Sequence, residues 1–151
     1  MKLKTRLVGE IEYEQDEVIT FPQGLPSFRE EQSFLLLPLE DNEGGPFCLQ
    51  SITTPALAFI LMDPFALYPG YAPTLHRGEL RSLGVKQDED LCFYVMCAMK
   101  RPVGSSTINL KCPIVINPDT RTARQVILET GDYHMRHPLS EFFKSEEGSV
   151  C

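Results

Sequence analysis

Positive charge is scarce in this 151-residue chain: 14 Lys and Arg stand against 21 Asp and Glu, a formal net charge of −7. Such a surface repels nucleic acid and anionic lipid and attracts a basic partner. Long apolar runs are also missing. Ala56 to Met62 and Leu91 to Met99 are both far below the ~18 residues of a membrane span. The basic start Lys2-Leu3-Lys4-Thr5-Arg6 is not followed by the apolar stretch of a secretion signal. A soluble cytosolic protein is expected. The 5 cysteines (Cys48, Cys92, Cys97, Cys112 and Cys151) are odd in number and scattered, which fits reduced thiols better than a disulfide framework.

Catalytic and ligand-holding patterns are lacking as well. Cys92 and Cys97 would face opposite sides of a strand and cannot hold one metal together. His134, His137 and Glu141 would share a face only on a helix, which Pro138 disfavours. Asp88-Glu89-Asp90 lacks the alternating ligands and Gly of a calcium loop and reads as a solvated turn. No Gly-Lys-Ser/Thr phosphate loop is present, and Gly104-Ser105-Ser106-Thr107 lacks the far-side Gly of a nucleophile elbow. The Lys2, Lys4, Arg6 stripe has no interleaved aromatics for stacking bases. No metal, no cofactor and no direct nucleic-acid contact are expected.

What the chain does have is the material for one core. Hydrophobic residues make up 42%, and 12 Pro with 10 Gly point to many turns between short elements. Leu3, Thr5 and Leu7 alternate with the basic stripe, and Ile11 and Tyr13 alternate with Glu10, Glu12 and Glu14, with a bulge or bend at Gly9. Phe21-Pro22-Gln23-Gly24 suits a turn, and Phe34–Leu37 with Phe47–Ile52 reads as a hairpin around the polar loop 40–46. Ala56–Met62 and Leu91–Met99 are apolar at consecutive positions, so both of their faces should be covered. Shorter strands are predicted at Thr107–Leu110, Ile114–Ile116 and Gln125–Leu128. One short helix is predicted from a Thr74 cap to about Leu83, stopped by Gly84. The expected fold is all-β, mainly antiparallel: a compact β-barrel-like domain over 1–143 with one short helix and a flexible tail over 144–151. A closed barrel has no edges to pair, so a monomer is expected.

Two groups of residues are candidate partner contacts. Phe65, Tyr68 and Tyr71 lie in the Pro64–Pro73 stretch, too proline-rich to continue a helix and too aromatic for a plain linker; core packing under a long loop and an exposed contact site both fit. Glu10, Glu12 and Glu14 form a row of carboxylates about 7 Å apart on a strand, read either as a solvated edge or as a face for a basic partner. Asn109, Asn117 and Gln125 are expected to satisfy backbone groups at turns and strand ends. A reading from another class is a small-ligand-binding barrel or a cryptic hydrolase with its site among Asp63, Tyr71, His76 and Tyr133.

Three segments in order resemble the flagellar assembly factor FliW family. They are Phe21-Pro22-Gln23-Gly24-Leu25-Pro26-Ser27-Phe28; Leu49-Gln50-Ser51 through Pro55-Ala56-Leu57-Ala58-Phe59-Ile60-Leu61 to Asp63-Pro64; and Asn109 through Pro113-Ile114-Val115-Ile116-Asn117 to Gln125-Val126-Ile127-Leu128. The resemblance runs from about Lys4 to Leu139. It departs at Ser27, where the family usually has Gly, at Cys112, where Ala is common, and at Thr122-Ala123, where a Gly-containing turn is usual. It implies a non-enzymatic cytoplasmic protein that exchanges partners: flagellin before export, held through its C-terminal region, and the carbon storage regulator CsrA, a translational repressor of flagellin mRNA. The acidic surface suits a basic RNA-binding partner.

Overall fold

Along β4 (Ser33–Pro38) successive side chains enter different cores: Phe34 and Leu36 point to one, Leu35 and Leu37 to another. That alternation sets the architecture, which a computed structural model describes for residues 1–26, 28–39 and 46–142. Ser27, the 40–45 part of the polar loop and the expected tail at 144–151 with Cys151 lie outside the described residues.

A closed barrel of seven strands forms the centre. Its strands are β3 (Ile19–Thr20), β4, β5 (Phe47–Ser51), β6 (Ala58–Met62), β7 (Cys92–Ala98), β9 (Ile114–Asn117) and β10 (Thr122–Gln125), with β8 (Thr107–Ile108) continuing the β9 side of β7. Neighbours are antiparallel throughout, as expected, except at the closing seam. There β10 meets β3 in parallel at Thr122 and Thr20, supported by Thr20 N–H donating to the Arg121 carbonyl at 2.8 Å. The interior is filled by Phe21, Phe34, Leu49, Leu61, Ile114 and Ile116, with Phe21 and Phe34 edge to face at 5.2 Å.

The outside of the barrel is covered in two places. Phe93, Val95 and Cys97 project outward from β7 into a core with Tyr71, Leu75, Leu83, Leu91, Leu128 and Tyr133, while Cys92, Tyr94 and Met96 face the interior. Both faces of this strand are covered, and Cys92 and Cys97 do point opposite ways. On the other side, β1 (Lys2–Lys4) and β2 (Glu10–Glu12) form a hairpin that lays Leu3 and Ile11 on Leu35. Gly9, with φ +72°, sits in the turn that makes this hairpin.

Several elements differ from expectation for identifiable reasons. Leu75 is buried in the outer core, the chain stays extended through His76, and the helix α2 therefore runs over Arg77–Ser82 instead of starting after Thr74. The Glu79 carboxylate accepts the His76 N–H at 3.0 Å, and Gly84 ends the helix as predicted, with Val85 N–H returning to the Leu80 carbonyl at 3.0 Å. A second helical turn, α1, forms at Pro64–Leu67, because proline is well placed at a first helical position. Arg121 takes the left-handed conformation (φ 59°), and strand β10 begins just after it at Thr122 instead of at Gln125. A short β11 (His137–Pro138) pairs with β8.

Gln50, fully buried on the outward face of β5, fastens the hairpin to the barrel. Its Oε1 accepts the Arg6 N–H at 2.9 Å, and its amide nitrogen lies 2.9 Å from the Ser51 and Pro55 carbonyls. Gln50→Leu is expected to lower the unfolding free energy by about 2–3 kcal/mol, since lost partners for buried polar groups cost about 1 kcal/mol or more each. Urea unfolding reads this directly, and an unchanged midpoint would show that water takes over these bonds.

Candidate partner-binding surfaces

The aromatic loop divides into a buried member and two exposed ones. Asp63 caps α1 by accepting the Phe65 N–H at 2.9 Å, which turns Phe65 and Tyr68 outward at 40% and 38% exposure. Tyr71 is only 4% exposed. Its hydroxyl donates to the Leu110 carbonyl at 2.6 Å, and its ring packs edge to face on Tyr133 at 4.7 Å. As a core residue Tyr71 packs against Phe65 and Tyr133 and leaves the exposed part of the aromatic loop to Phe65 and Tyr68. Burial pushes its phenol above the ordinary range, with a smaller push from Tyr133 and Cys112. Tyr133 is a structural residue that sequence reasoning did not single out in this role: its oxygen accepts the Ala72 N–H at 2.8 Å and so pins the loop.

Beside Tyr68 lies a cleft of about 540 Å³ lined by Ala66, Leu67, Asp132, His137 and Phe142 among others. Tyr68 and Phe142 face each other there at 5.9 Å. The rim of the cleft is held by His137, whose Nε2 accepts the His134 N–H at 2.8 Å and whose Nδ1 lies 3.3 Å from a Glu141 carboxylate oxygen. The chain thus brings His137 and Glu141 together without the helix that Pro138 disfavours. Both ring nitrogens are engaged within the chain, and among the described residues no group of three or more His, Cys, Asp and Glu is arranged to hold a metal ion.

The acidic row has a different environment from the one expected. Hairpin register places Lys4 opposite Glu10 and Lys2 opposite Glu12, so both signs alternate on the exposed face. The strand ends at Glu12, and Glu14 follows it at the start of a helical turn, where its N–H donates to the Glu17 carboxylate at 2.9 Å. The row is therefore a mixed-charge ribbon with an acidic end.

Asp63, Tyr71, His76 and Tyr133 do not come together as one set: His76 and Tyr133 line a cleft of about 360 Å³ with Tyr71 packed against Tyr133, and Asp63 is not part of its lining. Asp63 is spent as a cap, both tyrosines are committed to backbone groups, and His76 Nε2 faces Glu129 at 3.2 Å on the surface. The turn at 88–90 is less solvated than its sequence suggests. One Asp88 oxygen is buried without a partner, and burial together with the Glu89 charge pushes its carboxyl up. The thiols of Cys48, Cys92, Cys97 and Cys112 are all pushed up by burial, which keeps them protonated and poorly nucleophilic.

Asn109, Asn117 and Gln125 serve the backbone. Asn109 Oδ1 accepts the Cys112 N–H at 2.9 Å, Asn117 Nδ2 donates to the Leu83 carbonyl at 2.7 Å, and Gln125 Nε2 donates to the Cys112 carbonyl at 3.0 Å. These contacts hold the third of the family-like segments in its barrel position. A family model described as FliW protein matches residues 2–139. The chain belongs to the FliW family.

Relatives confirm the extent of the likeness. The flagellar assembly factor FliW of Geobacillus sp. (strain WCH70) is 41% identical over 140 residues, covering 92% of this chain and 95% of that protein. The same factor from Syntrophomonas wolfei is 38% identical, covering 97% and 94%, and that from Geotalea uraniireducens is 37% identical, covering 99% and 91%. A crystal structure of the flagellar assembly factor FliW superposes with a TM-score of 0.85 at 38% identity, covering 92% of this chain and 96% of that one. Within this FliW-family fold, no helix of the described residues is long and apolar enough to cross a membrane. The departures at Cys112 and Thr122-Ala123 are accommodated locally: Cys112 is buried, and Arg121 supplies the left-handed turn residue.

Proposed function

We propose that the protein is a cytoplasmic, non-enzymatic flagellar assembly factor that works by exchanging two protein partners, flagellin before export and the repressor CsrA. The observation that carries this reading is family membership over residues 2–139, with relatives named as flagellar assembly factors matched over nearly their whole length. The flagellin C-terminal region, an amphipathic segment, docks its apolar side on Phe65 and Tyr68 and into the adjoining cleft, with Tyr71 holding that surface from beneath. CsrA, a basic protein, meets the Glu10, Glu12 and Glu14 end of the hairpin, and neither partner requires nucleic acid to touch this chain. Free protein then restrains the repressor until accumulating flagellin withdraws it.

Exchange has a thermodynamic signature. If one partner weakens the other by overlap or by coupling, the reverse effect must be equal. Titration calorimetry in both orders is expected to show this reciprocity. Tyr68→Ala is expected to weaken flagellin by about tenfold, the worth of one interface anchor of 1–2 kcal/mol, while leaving CsrA affinity unchanged. Reversal of Glu10, Glu12 and Glu14 to Lys is expected to do the opposite. Two independent isotherms, with a stable ternary complex on gel filtration, would sink the exchange.

A further inference from the structure

Of the arginines in the chain, seven are exposed and one, Arg124, is half-buried. Its Nη1 donates to Ser82 Oγ at 2.9 Å, its Nε is buried with no partner, and no carboxylate of the described residues lies within 4.0 Å. A guanidinium has five N–H donors and is charged at every accessible pH, so one neutral hydroxyl leaves most of its capacity unused. In a chain of net charge −7, a partly desolvated cation without a counter-ion is a departure from what folding alone favours.

Arg124 lies in the wall of a pocket of about 210 Å³, with Pro22 and Gln23 on one side, Ser82 and Leu83 on another, and Thr122 and Ala123 beside it. Each wall is fixed. The Pro22 carbonyl accepts from Gln32 Nε2 at 3.3 Å, Ser82 Oγ donates to the Glu79 carbonyl at 2.8 Å and so turns its free lone pair to Arg124, and Asn117 takes the Leu83 carbonyl. The helix end therefore does not aim that carbonyl at the pocket. What remains is a half-buried cation, with Thr122 and the exposed Gln23 beside it and Pro22, Leu83 and Ala123 as apolar lining.

We propose that Arg124 is the cation of a carboxylate-binding site, one that takes a peptide carboxylate, either an acidic side chain or a chain terminus. The outer guanidinium N–H groups, beyond the buried Nε, can donate to a carboxylate, and Pro22 and Leu83 line the space its carbon atoms would occupy. A small apolar-walled space on an acidic protein disfavours a strongly hydrated dianion such as phosphate. The inference rests on this geometry and is independent of the exchange of flagellin and CsrA.

The test is a nitrogen-15 NMR titration of the whole chain at constant ionic strength, with N-acetylglutamate α-amide as the side-chain probe, N-acetylglycine as the terminal probe and inorganic phosphate as the comparison. The Arg124 Nε–H resonance and the backbone amides of Gln23 and Leu83 are expected to shift saturably with a carboxylate, and the tighter of the two probes names its source. Arg124→Lys, which keeps the charge and loses the guanidinium, is expected to weaken binding by about tenfold, the worth of one charge-assisted hydrogen bond. Arg124→Gln is expected to abolish the shifts at Gln23 and Leu83. Linear, non-saturating shifts in the wild-type chain, equal response to phosphate, or saturation that survives in a folded Arg124→Gln variant would each overturn the site. Should that variant not fold, the wild-type Nε–H signal decides alone.

Discussion

Gly24→Ala is expected to cost at least about 3 kcal/mol of unfolding free energy, where Gly9→Ala costs about 1 kcal/mol, although both glycines hold positive φ. The conformational share is common to the two, about 1–2 kcal/mol for an L side chain in the left-handed region. Surroundings separate them. A Cβ on Gly9 would meet nothing within 4 Å, whereas one on Gly24 would lie 2.3 Å from the Arg29 carbonyl oxygen and 2.6 Å from its carbon and Cα. Those are backbone atoms, which cannot rotate aside as a flexible side-chain tip does. The Arg29 backbone would have to move, and with it the neighbouring Leu25 and Phe28 backbone pair and the contact of Phe28 with Phe59. Against a total stability of about 5–15 kcal/mol for a domain of this kind, that loss is large. Urea unfolding of both variants measures the difference, and equal losses would show that the loop yields without cost.

How far these features could be read from the sequence depended on the range of the interactions behind them. The hairpin strand at Phe34–Leu37, the turn at Pro22–Gly24 and the stop at Gly84 are local, and each is legible because neighbouring residues determine it. The apolar run at Leu91–Met99 was also legible, since a strand covered on both faces tolerates apolar residues at every position. The strand at Thr122 was misplaced because a non-glycine residue, Arg121, takes the left-handed turn position.

The candidate sites depended on longer range. Phe65, Tyr68 and Tyr71 are alike as letters, and what separates Tyr71 from the others is a carbonyl 39 positions away, at Leu110. The acidic row looks uniform until the hairpin register sets Lys2 and Lys4 across from it. Arg124 gives no signal in sequence, because its isolation comes from the meeting of β10, α2 and the turn after β3.

Tyr71→Ala is expected to destabilise the protein by about 3–5 kcal/mol, the range for removing a large buried aromatic ring, and Tyr71→Phe by about 1–2 kcal/mol through the orphaned Leu110 carbonyl. The alanine variant leaves a cavity between Tyr133 and Phe65, the ring that carries the exposed aromatic surface. Reduced flagellin binding in that variant would therefore report loss of support. The phenylalanine variant keeps the ring, so its partner affinity should match the wild type. Alkaline pH gives a second reading. Because burial raises the folded phenol above the unfolded value of about 10, the unfolded chain loses this proton first. Its contribution to stability is complete below that pH and falls away as pH climbs beyond it. Tyr71→Phe has no such proton, so its stability should decline less steeply above pH of about 10 than that of the wild type. Urea midpoints across that range test the assignment, and parallel declines for the two proteins would mean that Tyr71 ionises as freely in the folded chain as in the unfolded one.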